Sequence, residues 1–413
     1  MSWGYRKILL IVLIISSLVA YLPLLSEPSR LNIGQFIGLV GLQLIWWQII
    51  LGDRQINRLF TDDLFWINKI HKFVGKYGFL IIFFHPILMV LSYELNPLSF
   101  STSTTLDKGI LIGKVAFSLL AIIWFASAIL RDRLVWRWWK RLHLFGYVIL
   151  PLLLLHAFKV GSDLKDPGLI RLWVSFLAIT YGIALTLRLL DWSGFTKSKY
   201  KIVKTSLPAK NVTRFQLIPI GEKIVPRRGQ FAYFQAKRFG QAHPFTISHF
   251  DKKSGELSFS IKAVGPYSSS LANLKVGEVV FIDGPFGIYT RELEKKHKPS
   301  VIIAGGIGIT PFIRWLQAKK IDYLFYGART NEDIAYSKVI SSSKAKFYKA
   351  LSEPSSNEKP AFITARFIEK QIDNLVDYDF YVCGPPVMMN KICEELIARK
   401  VPKKQIHTER FSL

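Results

Sequence analysis

The 413 residues include only two cysteines, Cys383 and Cys393. Two thiols near one end make neither a disulfide framework nor a zinc site, and they suit a reduced compartment. Acidic side chains are also scarce, 29 against 55 lysines and arginines, for a net charge of +26. No motif of a nucleic-acid-binding fold accompanies this excess, so nucleic acid is not the expected partner. Cytoplasmic loops lying on an anionic membrane account for the charge, which also attracts anionic dinucleotides. The spans give no sign of an inverted repeat, which argues against a substrate transporter.

Half of the residues are hydrophobic, and they are concentrated before about Leu190. Six apolar stretches are expected to span a bilayer: Ile8–Leu25, Ile33–Leu51, Ile70–Leu91, Ile110–Leu130, Leu144–Phe158 and Leu169–Leu190. The first follows Arg6 and Lys7 but lacks a clear small-x-small cleavage site, so it reads as an anchor. The connection from Arg131 to Arg141 is strongly basic, whereas Ser26–Arg30, Glu94–Lys108 and Lys159–Gly168 are nearly balanced. The positive-inside rule then places both termini and the basic connection in the cytoplasm. Arg54, Arg58, Lys72, Arg137, Lys140 and Arg141 gather at that inner face. Most read as topology determinants among lipid headgroups, with one or two available to pair with propionates.

Two spans carry two histidines each: His71 and His85 on the third, His143 and His156 on the fifth. Imidazole is costly in hydrocarbon without a partner, so such residues point to function. At 1.5 Å per residue both intervals are about 20 Å, which levels His71 with His143 and His85 with His156 on parallel helices. Two stacked sites of two imidazoles suit two six-coordinate b-type haems. The phase is less simple. A fourteen-residue step returns to within about 40° of one helix face, but a thirteen-residue step misses by about 140°. Gly146 and Pro151 lie in the second interval, and Pro151 is able to interrupt the helix ladder.

After Asp191 the pattern turns to short alternating runs broken by glycine and proline. Lys201–Leu207, Val212–Ile218, Gln230–Gln235, Leu257–Ala263 and Val279–Ile282 read as strands of an antiparallel barrel. His243-Pro244-Phe245-Thr246-Ile247-Ser248 offers an aromatic ring beside hydroxyls, suited to a flavin or equally to a plain turn entering a strand. Gly265-Pro266-Tyr267-Ser268 opens a short helix where backbone N–H groups approach a pyrophosphate. Asp283–Gly287 reads as a turn closing the barrel.

From Pro299 an α/β domain is expected. A strand at Val301–Ala304 leads into Gly305-Gly306-Ile307-Gly308-Ile309-Thr310-Pro311, with Thr310 and Pro311 as the N-cap and first turn of a helix Phe312–Ala318. A second strand, Tyr323–Tyr326, delivers Arg329, which either clamps the 2′-phosphate of NADPH or is a surface arginine. A third, Asp379–Val382, delivers Cys383-Gly384-Pro385-Pro386, with Cys383 a small residue near the expected nicotinamide rather than a nucleophile. Phe411, the third residue from the end, could shield a flavin ring by stacking.

In order and spacing, these features resemble the NADPH oxidase and transmembrane ferric reductase superfamily over nearly the whole chain. The resemblance implies a six-helix di-haem domain (1–192), a ferredoxin-reductase-like FAD barrel (193–296) and a nicotinamide-nucleotide α/β domain (297–413). His71, His85, His143 and His156 match the family's axial ligands in helix number and spacing. The flavin motif matches His243, Pro244, Phe245, Thr246 and Ser248; the FAD pyrophosphate motif matches Gly265, Ser268 and Leu271. The nucleotide motifs match Gly306, Gly308 and Pro311, then Cys383, Gly384 and Pro385, and the terminal aromatic matches Phe411. Animal members carry a further histidine where this chain has Met89, and an aromatic where it has Ile149. The first departure bears on oxygen as acceptor.

The implied activity is NAD(P)H oxidation through FAD and two haems b to oxygen on the outer side, yielding superoxide. A ferric-chelate reductase using the same relay is the alternative, and a non-catalytic cytochrome anchor would not need its own hydride donor. No catalytic side chain beyond the cofactors is expected. The 413 residues hold no calcium-binding EF-hand loop, so activity without calcium or a regulatory subunit is expected, in a bacterial plasma membrane.

Overall fold

The computed structural model describes residues 3–26, 29–94, 96–97, 99–165, 167–295, 298–355 and 358–409. They form two compact units, Met1–Leu189 and Leu190–Leu413.

The first unit is helical. In hydrocarbon a spanning segment must satisfy its own backbone, and helices do so. Helix α1 is Trp3–Leu18, α2 Arg30–Gly52, α3 Leu64–Tyr93, α4 Thr105–Ala128, α5 Trp136–Leu144, α6 Gly146–Val160 and α7 Leu169–Ser193. Among the described residues, five stretches are long and apolar enough to cross a membrane: α2, α3, α4, α5 with α6, and α7. The first expected span differs. Its α-helical part has 16 residues and tightens into a 3₁₀ turn, Val19–Leu25, around Pro23, a residue that cannot donate to a helix ladder.

The helix starts carry their own caps. Ser29 accepts from the Asn32 N–H, Asp63 from the Trp66 N–H, and Thr104 with Asp107 closes a capping box. Helix α2 is enclosed on all sides from Leu39 to Trp47. Its glycines let α3 come close: a Cβ on Gly41 would stand 2.8 Å from Ile82 Cγ1. Such close approach is what drives helix association where lipid removes the hydrophobic incentive. Trp46 donates to Thr180 and Trp173 to Gln43, each at 2.9 Å, tying α2 to α7.

The thirteen-residue phase problem is resolved at Phe145. Pro151 lies inside α6 without ending it; the interruption comes between α5 and α6 instead. There Phe145 N–H bonds back to Leu142 O at 3.1 Å and Val148 N–H to Phe145 O at 2.9 Å, both three-residue steps. Three-residue steps overwind a helix by roughly 20° per residue, in the direction needed to bring His143 round toward the face of His156. The break also frees the axis of α5 from that of α6.

The second unit begins with a closed antiparallel barrel in the order β1-β2-β5-β4-β3-β6. Its strands are β1 (Ser198–Ala209), β2 (Val212–Ile220), β3 (Phe231–Gln235), β4 (Ala242–Phe250), β5 (Leu257–Lys262) and β6 (Val279–Phe286). Tyr200, Phe215, Phe234 and Phe259 are fully buried inside it, each contributing about 1.5–3 kcal/mol by burial. Two local expectations are corrected. The His243–Ser248 segment is strand β4 itself, with Pro244 opposite Tyr233; a proline there hides the strand in a sequence reading. Asp283–Phe286 continues β6, and the turn falls at Gly287, where φ is 98°.

A parallel sheet follows, ordered β11-β10-β7-β8-β9. Its strands are β7 (Ser300–Gly305), β8 (Tyr323–Ala328), β9 (Lys346–Leu351), β10 (Asp379–Cys383) and β11 (Ile406–Thr408). Strand β7 is buried on both faces, and so reads as an unbroken apolar run. The edges β9 and β11 are half exposed, with polar residues in place of that signal. Helix α8 (Pro266–Leu271) opens after β5, and α9 (Pro386–Ala398) connects β10 to β11.

Candidate functional site

In the helical unit the structure brings the four histidines together as two pairs. The ring centroids of His71 and His143 are 6.1 Å apart, and those of His85 and His156 are 6.2 Å apart. Two nitrogens sharing one metal ion at about 2 Å each stand about 4 Å apart, and a ring radius on either side brings the centroids to roughly 6 Å. Both pairs therefore leave room for one metal ion between the rings. Among the described residues no group of three or more His, Cys, Asp or Glu gathers as a metal cluster, so the pairs stand alone.

The hydrogen bonds decide which nitrogen faces that space. His85 Nδ1 lies 2.8 Å from Gly34 O, and His156 Nδ1 lies 2.9 Å from Gly109 O. A carbonyl only accepts, so the proton sits on Nδ1 and the lone pair on Nε2. At the other level His143 Nδ1 is 3.4 Å from Ser127 Oγ, which also accepts from Trp139 Nε1 at 3.1 Å. Trp139 stacks on His143 with its ring centroid 4.8 Å away. The His71 ring has the Gln48 backbone as a polar neighbour, and its Nδ1 closes no hydrogen bond. The residues present thus fit a group needing two neutral imidazoles per metal.

In the second unit, His243 stacks on Tyr267 at 4.0 Å and 15°. Tyr267 donates to Phe234 O at 2.8 Å, which fixes it against the barrel wall. Thr246 and Ser248 are buried, and the Ser248 hydroxyl donates to Ser258 O at 3.0 Å. Ser268 Oγ accepts from the Val264 and Gly265 N–H groups, each at 3.1 Å. It therefore shapes the Gly265 turn. Phe245 stands edge-on to Phe234 at 6.3 Å. Phe411 lies outside the described residues.

The glycine-rich turn differs from its expected form. Gly306–Phe312 is a 3₁₀ turn and the α-helix begins only at Ile313. Thr310 is not an N-cap: its hydroxyl donates to Ile307 O at 3.0 Å, and Pro311 follows inside the turn. Gly308 has its side toward Cys383, where an added Cβ would overlap the Cys383 carbonyl, and a Cβ on Gly384 would likewise stand 3.0 Å from Gly305 Cα. These glycines let the ends of β7 and β10 touch backbone to backbone. Gly306 is different, with φ of 52° and a side that faces only Lys262 Nζ, 3.9 Å away. The Tyr326 hydroxyl donates to Gly306 O at 2.9 Å and accepts from Ala335 N–H at 3.1 Å, pinning the turn.

Cys383 is fully buried, and burial pushes its thiol well up, with Glu409 adding to the effect. It is a packed residue beside Gly384 and Pro385. Arg329 is largely exposed after β8, its Nε 3.6 Å from Glu353 Oε1. Sequence reasoning missed Gly34, Gly109, Ser127, Tyr267 and Lys262. The two glycines alone carried a readable signal, since each begins a small-x-x-x-small spacing.

Comparison with known proteins divides the chain in the same way. Residues 37–154 match the family model of the ferric reductase like transmembrane component, and residues 302–394 that of the oxidoreductase NAD-binding domain. The chain is 28% identical over 199 residues to the toluate 1,2-dioxygenase electron transfer component of Pseudomonas putida, covering 45% of this chain and 58% of that protein. It is 32% identical over 217 residues to a probable dihydroorotate dehydrogenase B (NAD(+)) electron transfer subunit of Pyrococcus furiosus, covering 52% of this chain and 79% of that one. A ferredoxin reductase of carbazole 1,9a-dioxygenase is similar in structure at 25% identity and a TM-score of 0.47, covering 52% of this chain and 69% of that chain. The chain spans less than two thirds of the length of several such relatives. A ferric-reductase-like transmembrane component followed by an oxidoreductase NAD-binding domain is the architecture of the NADPH oxidase and ferric reductase superfamily, and this chain belongs to it.

Proposed function

We propose that this protein is a transmembrane NAD(P)H oxidase that takes electrons from a cytoplasmic nicotinamide nucleotide and delivers them singly to oxygen on the outer side, forming superoxide. The observation that carries the proposal is the pair of histidine pairs, each spaced for one metal ion. When bound, FAD converts a hydride into single electrons and two haems b conduct them across the membrane.

The chain's own residues bind and orient. His71 with His143, and His85 with His156, supply neutral imidazoles, and at His85 and His156 hydrogen bonds on Nδ1 hold the tautomer that offers Nε2. His243 to Ser248 and the Gly265–Ser268 turn form the flavin side. Gly306, Gly308, Thr310 and Pro311, with Cys383, Gly384 and Pro385, are assigned to the nucleotide side, and Arg329 to a 2′-phosphate. The buried, neutral Cys383 thiol adds no charge and no nucleophile. Both termini are assigned to the cytoplasm. The second reading is a ferric-chelate reductase, favoured by Met89, whose Sδ packs 2.8 Å from the position of a Cβ on Gly34 and so presents no imidazole there.

The test uses purified full-length protein with FAD and NADPH in air. Two haems b per chain by pyridine haemochromogen, and cytochrome c reduction suppressed by superoxide dismutase, are expected. Protein without haem would sink the relay. Haem with reduction insensitive to dismutase would instead favour ferric chelates as acceptors.

A further inference from the structure

The helical unit contains a direct repeat at the level of His85 and His156. Gly34 and Gly38 on α2 face α3, and Gly109 and Gly113 on α4 face α6, with each glycine 75 residues from its counterpart. The contacts repeat as well. His85 donates Nδ1–H to Gly34 O at 2.8 Å, and His156 donates to Gly109 O at 2.9 Å. A Cβ built on Gly38 would lie 2.6 Å from His85 Nδ1 and 2.7 Å from Cε1; one on Gly113 would lie 2.5 and 2.6 Å from the same atoms of His156. The first glycine of each set packs on the residue four beyond its histidine. A Cβ on Gly34 would meet Met89 Sδ at 2.8 Å, and one on Gly109 would meet Val160 Cγ1 at 2.6 Å.

Helix geometry explains the spacing. Every Cα–Cβ bond in an α-helix leans toward the N-terminus, so the side chain at one position covers the carbonyl four residues earlier. A carbonyl has two lone pairs, one for the helix N–H and one for an outside donor. The outside donor reaches it only where the covering side chain is missing. Glycine at 38 uncovers the carbonyl of 34, and glycine at 113 uncovers that of 109.

The other level carries only a looser version, in which Gly52 stands four residues after Gln48, whose backbone is the polar neighbour of His71. Gly52 lies 3.8 Å from His71 Cε1 by the same measure, an ordinary contact. Its counterpart 75 residues on is Ser127, whose hydroxyl stands in for the carbonyl, 3.4 Å from His143 Nδ1.

We propose that Gly38 and Gly113 are positioning residues for His85 and His156, each opening one helix turn so that the imidazole is locked by its Nδ1–H and presents Nε2 to its partner ring. The proposal rests on reading the histidine pairs as haem ligands. It places the more tightly clamped site at the His85/His156 level, where both rings stand within 2.9 Å of a helix carbonyl.

The experiment compares wild type with Gly38→Ala, Gly113→Ala and Gly41→Ala, measuring haem per chain and the low-spin ferric EPR signals of the purified protein. Gly41→Ala is the steric control, because its Cβ would press on Ile82 at 2.8 Å across the same two helices without touching a histidine. In Gly38→Ala and Gly113→Ala, haem affinity at one site is expected to fall roughly 10–100-fold. One of the two EPR signals is lost or shifted and the other, from His71/His143, persists and reports an intact bundle. Gly41→Ala keeps both. Unchanged signals in Gly38→Ala or Gly113→Ala overturn the proposal. So does loss of both signals together, or the same selective loss in Gly41→Ala. Wild-type protein without haem overturns the underlying reading, and the proposal with it.

Discussion

Lys197 and Asp191 form a buried ion pair at the start of the second unit, with Nζ 3.2 Å from Oδ1. The same ammonium donates to Asp191 O at 2.5 Å and to Gln235 Oε1 at 2.6 Å, so each of its three N–H groups meets an oxygen. Lys197→Met leaves a buried carboxylate without its cation, at an expected cost of about 3–5 kcal/mol. A lower thermal unfolding midpoint, partly restored by adding Asp191→Asn, is the predicted result. A wild-type midpoint in the single variant would show that the pair contributes nothing.

The barrel carries a pH-sensitive group. Burial first, then the charges of Arg214 and Arg314, lower the His249 pKa from 6.5, while Glu256 and Asp251 oppose the shift. The folded pKa therefore lies below the unfolded one. Stability from this group is fully present above about pH 6.5 and is lost as the pH falls through the window beneath it. Thermal midpoints are predicted to decline between pH 7 and pH 5, with a shallower slope in His249→Gln. An identical slope in that variant would exclude His249 as the source.

Thiol reactivity separates the two cysteines. Cys383 is fully buried with its thiol held protonated, whereas Cys393 is partly exposed. Brief treatment of native protein with iodoacetamide at pH 8 is predicted to label Cys393 and spare Cys383 until denaturation. Mass spectrometry showing equal labelling would contradict the packed role assigned to Cys383.

Arg329 tests nucleotide choice. Its side chain is mostly open to solvent and stands 3.6 Å from Glu353, a contact of little energetic weight. If the guanidinium binds a 2′-phosphate, Arg329→Ala raises the KM for NADPH about 10–100-fold, the worth of a hydrogen bond to a charged group, and leaves that for NADH unchanged. Parallel changes with both nucleotides would reduce Arg329 to a surface residue.

Much of this was legible because hydrocarbon imposes simple rules. Imidazole at His71, His85, His143 and His156 is expensive unless it has a purpose, so the four residues announce themselves in sequence and pair as their spacing implies. The partners that hold them were legible only as small-residue spacings, not as hydrogen-bond acceptors. Gly34 and Gly109 act through backbone carbonyls, which every residue has, and only packing shows which carbonyl is uncovered. Thr310 illustrates a different limit. A threonine-proline step reads as a helix start, yet the turn around it is 3₁₀, with Gly306 at positive φ and Gly308 taking the backbone against the end of β10. Strand β4 was hidden by Pro244, and strands β9 and β11 by their half-exposed edges.

The break at Phe145 makes the two histidine ladders mechanically unlike. On one side His71 and His85 ride a single helix of 30 residues, with Pro86 falling just beyond the interval, and it works as a ruler. On the other, His143 and His156 sit on two rods joined by a knuckle. The separation of the two histidine pairs is therefore written into the ruler, and the jointed side conforms to it. One residue inserted between His71 and His85 turns the second ring by about 100° and dismantles a site. One residue inserted at the knuckle changes a joint that already departs from the helical repeat. The same length of added chain thus has opposite consequences on the two sides of the bundle.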